Sequence, residues 1–337
     1  MCLYPKLIKN PKYRPNKKNN YNPPICEDER VLYVPVGCGN CIECRNQKKR
    51  EWQTRMNEEI KHDNTGQFIT LTFSNEELEK LTKETGIKES NAVATIAVRR
   101  FLERWRKKYK KSVKHWFVTE LGHNGTERIH LHGILFTKET KETIESIWKY
   151  GNIWVGTFVN TKTINYIIKY ITKIDEQHKG FKSIILSSAG IGKEYINRQD
   201  AQNNKYNGES TKETYILPSG TRTALPIYYR NKIYSDKERE QLWLNKLDKQ
   251  ERYVMGIKIS VKKDETGYNK VLEQAQKDNE RLGYGNRDEE WSKSRSSSKS
   301  GSRSSSSSRK IKFRGNLRLY KQVERHASST HVYYIIK

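Results

Sequence analysis

The run Arg128–Phe136 places two histidines inside a segment typical of a buried β-strand (Arg-Ile-His-Leu-His-Gly-Ile-Leu-Phe). Its β-branched and aliphatic residues indicate that at least one face of the strand is buried. Side chains two positions apart on a strand point to the same face, so His130 and His132 stand side by side. Because burying two imidazoles without partners is costly, the pattern favours a divalent metal bound by both.

A carboxylate is the expected further ligand where a metal serves phosphate chemistry, and Glu120, at the end of the preceding predicted strand, is the candidate. Its position depends on the turn between the two strands. An odd number of loop residues centred on Gly125 places Glu120 opposite His130 on the same face. A two-residue Asn124-Gly125 turn places Thr119 there instead.

A second pattern lies in Thr163–Lys173, where Tyr166, Lys169, Tyr170 and Lys173 follow helical spacing and share one face. Taken alone, two surface tyrosines packed beside lysine stems are the simpler interpretation. Beside a histidine pair, catalysis is favoured. A phenol with a pKa near 10 is mostly neutral at pH 7, so it needs a metal-polarised phosphate to attack and a lysine to stabilise the developing charge.

The elements around these motifs follow the order β-α-β-β-α-β-α. The predicted strands are 68–73, 115–121, 128–136 and 152–159, and the predicted helices are a short one after a Ser74 capping box, 91–111, 139–150 and 161–174. This order predicts an α+β fold, with a ferredoxin-like, split βαβ antiparallel sheet and helices on one side of it.

Four regions are predicted along the chain. They are a basic, cysteine-rich arm and helix at 1–65, the core at 66–175, an accessory α+β appendage at 176–290 and a Ser/Arg-rich disordered linker and tail at 291–337. The last region cannot bury enough apolar surface to fold.

Charge indicates the class of partner. The formal net charge of +26 favours a polyanion, and 20 Tyr and 7 Trp supply rings on which bases can stack. No run of about 18 apolar residues and no apolar signal core occur, so we expect a cytosolic protein without a membrane span.

Clustered cysteines in such a compartment more often bind metal than form disulfides. Cys38-x2-Cys41-x2-Cys44 supplies three thiols, and Cys26 or Cys2 is the fourth candidate for a structural Zn²⁺ site. Reduced, ligand-free thiols near a helix start are the alternative. If zinc binds, it fixes the basic arm to the core.

The motif His130-Leu131-His132, followed by Tyr166-x-x-x-Tyr170-x-x-Lys173, resembles the HUH endonucleases that initiate rolling-circle replication. The two-tyrosine form is similar to the gene A protein of icosahedral single-stranded DNA phages, and Phe68–Phe73 fits that family's first strand motif.

The cysteine cluster, which leads into Glu51-Trp52, and the segment Leu225–Arg230 look more like the replication initiation protein of the Gokushovirus branch of Microviridae. The resemblance covers most of residues 1–250.

The resemblance implies an HUH core that nicks single-stranded origin DNA and later rejoins it in rolling-circle replication of a phage genome. It implies that Tyr166 and Tyr170 are the nucleophiles, giving a 5′-phosphotyrosine and a free 3′-hydroxyl. It also implies that His130 and His132 bind Mg²⁺ or Mn²⁺ and that Lys173 assists at the phosphate. The order in which the tyrosines act is not implied.

A nucleotide-binding loop of the Gly-x-x-x-x-Gly-Lys-Ser/Thr type is absent from the sequence, since Ala189–Glu194 has too few intervening residues. We therefore expect a host helicase and DNA polymerase as partners, in the cytoplasm of a bacterial host. The alternatives are an HUH relaxase or transposase of the same chemistry, and a non-catalytic zinc-containing nucleic-acid-binding protein.

Overall fold

The computed structural model describes residues 2–123, 127–156, 158–178 and 180–286. The predicted tail at 291–337 lies outside the described residues, as does the centre of the turn before the histidine strand. None of the described helices combines the length and the apolar character that crossing a membrane requires.

The secondary structure of the described residues alternates strands with helices. The strands are β1 (Lys6–Lys9), β2 (Tyr33–Val36), β3 (Gly66–Leu71), β4 (Lys114–Leu121), β5 (Ile129–Phe136), β6 (Ile153–Gly156), β7 (Ile185–Ser187), β8 (Thr214–Ile216), β9 (Arg222–Ala224), β10 (Glu251–Val254) and β11 (Ile257–Ser260). The helices are α1 (Ile42–His62), α2 (Asn75–Thr85), α3 (Ser90–Tyr109), α4 (Lys141–Trp148), α5 (Thr161–Thr172), α6 (Gln199–Gln202), α7 (Ile227–Ile233), α8 (Asp236–Asp248) and α9 (Thr266–Arg281).

These elements form two compact units. The first comprises the described residues up to Arg45, Asn207–Thr211 and the described residues from Tyr234 on, and the second comprises Asn46–Tyr206 and Lys212–Ile233. The units differ from the four predicted ranges. Segments far apart in sequence share a unit because the N-terminal arm and α9 bury one common core.

Five strands of the second unit form an antiparallel sheet in the order β6-β3-β5-β4-β7. β5 lies between β3 and β4, which are connected through α2 and α3. This is the split βαβ arrangement, with β7 added at the edge beyond β4. The α+β class and the antiparallel sheet predicted from the sequence are confirmed.

Helices cover both faces of this sheet, so the expectation of helices on one side was wrong. α2, α3 and α4 pack on one face, and α1 and α5 pack on the other. The reason lies in β4, which sends Phe117 and Leu121 into the first core and Trp116 and Val118 into the second. A strand that is apolar on both faces needs cover on both.

The second core extends over only part of its sheet face. Apolar side chains such as Trp116 and Ile134 lie under α1 and α5. Farther along β3, β4 and β5, alternation brings polar residues to that same face, where they stand beyond the cover of the two helices. These residues are Thr70, Glu120, His130 and His132.

The first unit contains the hairpins β1–β2 and β10–β11 with α8 and α9. Its core joins Cys2 and Leu3 to Val254, Tyr268 and Leu272.

The start of α1 is capped from another part of this unit. The buried side chain of Asn279 in α9 accepts a 2.9 Å hydrogen bond from the backbone N–H of Ile42. A donor that a helix start leaves unpaired is thereby satisfied.

Candidate active site

The register of β4 against β5 brings three candidate metal ligands to one face. Glu120 lies opposite His130, and Val118 lies opposite His132. This is the arrangement that an odd-length loop would give, whereas Thr119 lies opposite Leu131 on the other face.

The three side chains converge on one point. Glu120 Oε2 is 3.2 Å from His130 Nε2 and 3.0 Å from His132 Nε2. One ligand atom from each residue lies within 4.8 Å of the others, so the set could hold a metal ion.

The outer nitrogens of both rings are held as well. His130 Nδ1 donates to the backbone carbonyl of Arg128 at 3.3 Å, and His132 Nδ1 lies 3.1 Å from Thr70 Oγ1. A neutral His130 that donates through Nδ1 has a lone pair on Nε2, and this lone pair faces a carboxylate oxygen. Two facing lone pairs need a proton or a metal ion between them, and outer hydrogen bonds of this kind orient histidine ligands in metal sites.

Lys173 completes the surroundings of the carboxylate. Its Nζ forms an ion pair with Glu120 Oε1 and lies 3.5 Å from His123 Nε2. Burial by itself would raise the pKa of Glu120, but hydrogen bonds with His130, His132 and Lys173 outweigh it and hold the pKa well below its usual range. The carboxylate is therefore ionised and able to bind a cation.

α5 brings both tyrosines to this set. Asn160 caps the helix by accepting from the backbone N–H of Thr163 at 3.1 Å. The ring of Tyr170 stacks on His132 with a centroid separation of 4.7 Å and an interplanar angle of 6°. Its hydroxyl donates to the hydroxyl of Tyr166 at 3.0 Å.

The two phenols differ in surroundings. Tyr166 is 46% exposed and Tyr170 is 5% exposed. Burial, the hydrogen bond with Tyr166 and the nearby charge of Glu120 raise the pKa of Tyr170 well above its usual value. Lys169 lies with Nζ 3.8 Å from the ring centroid of Tyr166 and 5.2 Å from that of Tyr170. Tyr166 is thus the phenol that is both accessible and closer to this cation.

A cavity of about 400 Å³ opens beside His130. Its lining includes Arg128, Thr72, Ser74 and Asn152. A guanidinium and several hydrogen-bonding groups next to a metal-ligand set suit a phosphate-containing substrate.

The structure also brings together a cluster that the sequence interpretation missed. Ligand atoms of His123, Asp175 and His178 lie within 4.8 Å of one another, and His178 Nδ1 is 2.8 Å from Asp175 Oδ2. The separation of His123 from the other two residues in the sequence gave no signal. It is the return of the chain after α5 that brings them together.

The cysteines form a four-thiol cluster in the first unit, with a corrected membership. Cys2, Cys38, Cys41 and Cys44 have their sulfurs within 4.8 Å of one another, so the cluster could bind a metal. Backbone N–H groups point at these sulfurs, including that of Cys38 at 3.1 Å from Cys2 Sγ. Such donors stabilise thiolates, the form that binds metal.

Cys26 does not join the cluster, so its place among the predicted ligands was wrong. Its thiol contacts the carbonyl of Asp28 at 3.1 Å and packs beside a separate core that includes Tyr13 and Trp243. Cys2 takes the fourth position because the β1–β2 pairing returns the chain start to the beginning of α1.

Comparison with known proteins agrees with the central part of the chain. The family model described as replication-associated protein ORF2 matches residues 66–175, the segment that carries the Glu-His-His set and both tyrosines. No curated protein and no solved structure matches the chain. The family match supports a replication initiator of the rolling-circle kind.

Proposed function

We propose that this chain is a metal-dependent HUH nickase and ligase that cuts origin DNA and initiates rolling-circle replication of a small single-stranded DNA phage genome, of the Microviridae type. The observation that carries the proposal is the stacking of Tyr170 on His132. This contact joins a pair of hydrogen-bonded phenols to a Glu-His-His set inside the segment that matches the replication family.

Glu120, His130 and His132 would hold Mg²⁺ or Mn²⁺ through one carboxylate oxygen and the two Nε2 atoms. When bound, such an ion neutralises charge on the scissile phosphate and orients it for in-line displacement. The facing lone pairs of His130 and Glu120 fit a cation of this kind.

Tyr166 supplies the attacking oxygen in the first cut. The phenol oxygen forms a bond to phosphorus as the bond from phosphorus to the 3′-oxygen breaks. The phenolic proton leaves and the departing oxygen gains a proton, giving a 5′-phosphotyrosine and a free 3′-hydroxyl. Lys169, over the Tyr166 ring, and Lys173, beside the metal-ligand set, stabilise the developing negative charge.

Tyr170 serves a second transesterification while Tyr166 is occupied. The number of phosphodiester bonds does not change, because each step exchanges one ester for another. A 3′-hydroxyl can therefore attack the phosphotyrosine and rejoin the strand without another energy source. The host supplies helicase and polymerase in this scheme.

The four-cysteine cluster would hold a structural Zn²⁺, which takes four thiolates in closed sites. Cys2, at the chain start, and Cys38, Cys41 and Cys44, at the start of α1, would be tied together by it.

The test mixes the full chain with Mn²⁺ and overlapping single-stranded oligonucleotides that cover the genome carrying its gene. We expect one oligonucleotide to form a covalent adduct that survives a denaturing gel. The double variant Tyr166→Phe/Tyr170→Phe should form none. Tyr253→Phe is the matched control, since Tyr253 is also 46% exposed. An undiminished adduct in the double variant would contradict the assignment.

The metal is tested separately with His130→Ala/His132→Ala. Cleavage should fall on the order of 10³-fold, since a metal supplies several kcal/mol of transition-state stabilisation, while DNA binding remains. His62→Ala, which removes an exposed histidine, is the control. Full nicking by the double variant would rule out metal catalysis at this site.

A relaxase or transposase would share this chemistry, and the fate of the free 3′-hydroxyl separates the three. Extension of the nicked strand by a polymerase identifies a replication initiator, and transfer of the strand to a second DNA identifies the alternatives. A non-catalytic zinc-containing nucleic-acid-binding protein would form no adduct.

A further inference from the structure

A row of side chains crosses the partly uncovered sheet face from its edge to the candidate metal ligands. Trp154 of the edge strand β6 is the register partner of Thr70 in β3, and Thr70 is the partner of His132 in β5. Register partners point to the same face. Since neighbouring strands are about 4.8 Å apart, Trp154 stands about 10 Å from His132 along this row.

Trp154 is exposed and yet held in place. It is 57% exposed, and its indole meets the ring of Phe68 edge to face with centroids 5.3 Å apart. A Cβ on Gly156 would lie 2.8 Å from the far edge of the indole. Glycine at that position is what lets the indole lie over the strand, so its orientation is set before any ligand arrives.

Phe68 links this indole to the nucleophiles. Its ring is 6.0 Å from that of Tyr166 and 6.4 Å from that of His132, and it stacks on the latter at 12°. The aromatic line therefore runs without interruption from Trp154 at the sheet edge through Phe68 to Tyr166.

Charge favours a polyanion on this line. Lys162 and Lys169 stand exposed on α5, the helix that carries Tyr166, and the whole chain has a net charge of +26. An exposed flat ring beside basic side chains is the combination with which proteins hold single-stranded nucleic acid, because every base has a face that can stack.

We propose that Trp154 is a stacking platform for an unpaired base of the DNA strand that flanks the scissile phosphate. The proposal rests on the proposed function for the identity of the strand and adds the residue that holds it. Stacking is indifferent to base identity, so Trp154 supplies affinity and register and leaves sequence choice to other contacts.

The test measures binding without metal, where no cutting interferes. The probes are a fluorescent twelve-nucleotide oligothymidylate and a twelve-unit abasic strand with the same phosphates. The central variant is Trp154→Leu, because leucine still covers Phe68 but has no flat ring. We expect about tenfold weaker binding of the oligothymidylate and unchanged binding of the abasic strand, as one stacked base is worth about 1–3 kcal/mol.

Trp154→Phe keeps a ring and should restore most of the loss. Ile216→Ala is the control, since Ile216 is a 59% exposed apolar side chain in the same unit. Equal losses on both probes, or no loss on either, would overturn the proposal. Thermal unfolding shows whether a variant is folded, and if Trp154→Leu is not, Trp154→Phe and a base-dependent quenching of tryptophan fluorescence in the unaltered chain decide the matter.

Failure here and failure of the proposed function are distinguishable. An unaltered chain that forms the covalent adduct while Trp154→Leu binds both probes normally refutes the platform alone. An unaltered chain that forms no adduct refutes the nickase, and the comparison of the two probes still reports whether Trp154 stacks on a base.

Discussion

At the scale of single residues, the two tyrosines of α5 meet different surroundings although they share one helix face. Tyr170 lies against His132 and is almost wholly buried, and Tyr166 is open to solvent. Their spacing at i and i+4 predicts a shared face but does not distinguish them. The difference arises because the ring of Tyr170 lies flat on His132, whereas that of Tyr166 meets Phe68 edge to face.

This difference predicts the order of use. On an oligonucleotide with a single cut site, Tyr166→Phe should lose the covalent adduct by at least about 10²-fold, and Tyr170→Phe should keep most of it, because burial raises the pKa of Tyr170 and hinders its attack. Initial rates of adduct formation with Mn²⁺ measure the effect. A larger loss in Tyr170→Phe than in Tyr166→Phe would reverse the assignment.

At the scale of elements, β5 depends on a glycine at its centre. A Cβ on Gly133 would lie 2.1 Å from the backbone oxygen of Trp116 and 2.5 Å from the ring of Phe117. These atoms belong to the neighbouring strand, so they cannot move aside without disturbing the pairing that sets Glu120 opposite His130. The glycine lies one residue after His132, and the backbone approach it permits helps to hold the site.

We predict that Gly133→Ala lowers the free energy of unfolding by about 1–3 kcal/mol or more, as overpacking of a filled core does. Chemical denaturation measures this change. Gly267→Ala is the matched control because nothing lies within 4 Å of the Cβ it would add. Equal stability of the two variants would show that the strands separate more easily than the contacts imply.

The elements themselves were largely predictable, since each carries a local pattern. Ser74 caps α2 by accepting from the backbone N–H of Glu77, as the capping motif predicts. The apolar stripe of α3 is buried through Phe101 and Trp105. The predicted strand at 152–159 is shorter in the structure, where β6 ends at Gly156 and the chain turns toward the Asn160 cap of α5. Local propensity does not mark that end.

At the scale of the whole molecule, the first unit is assembled from the chain start, the beginning of α1 and the C-terminal helix α9. The four-thiol cluster lies inside that core, with Cys2 and Cys41 almost fully buried. If zinc binds there, it replaces thiol contacts with metal bonds, and its binding free energy becomes part of the stability of this unit.

Metal analysis of purified protein should find about one zinc per chain, the number that a closed four-thiolate site holds. Cys41→Ser should lose it together with much of the thermal stability, and Cys2→Ser should behave in the same way. Cys26→Ser is the control, since that thiol lies outside the cluster. Zinc that persists in Cys41→Ser and disappears in Cys26→Ser would restore the original ligand set.

The sequence by itself determined the order of the elements, the pairing of His130 with His132 on one strand face and the shared helix face of Tyr166 and Tyr170, because these follow from the fixed periods of strand and helix. Tertiary structure alone decided that Glu120 faces the histidines, that Cys2 displaces Cys26 in the thiol cluster and that Trp154 stands in line with His132. Each of these depends on a strand register or on a long-range chain return, and neither is encoded in the spacing of nearby residues.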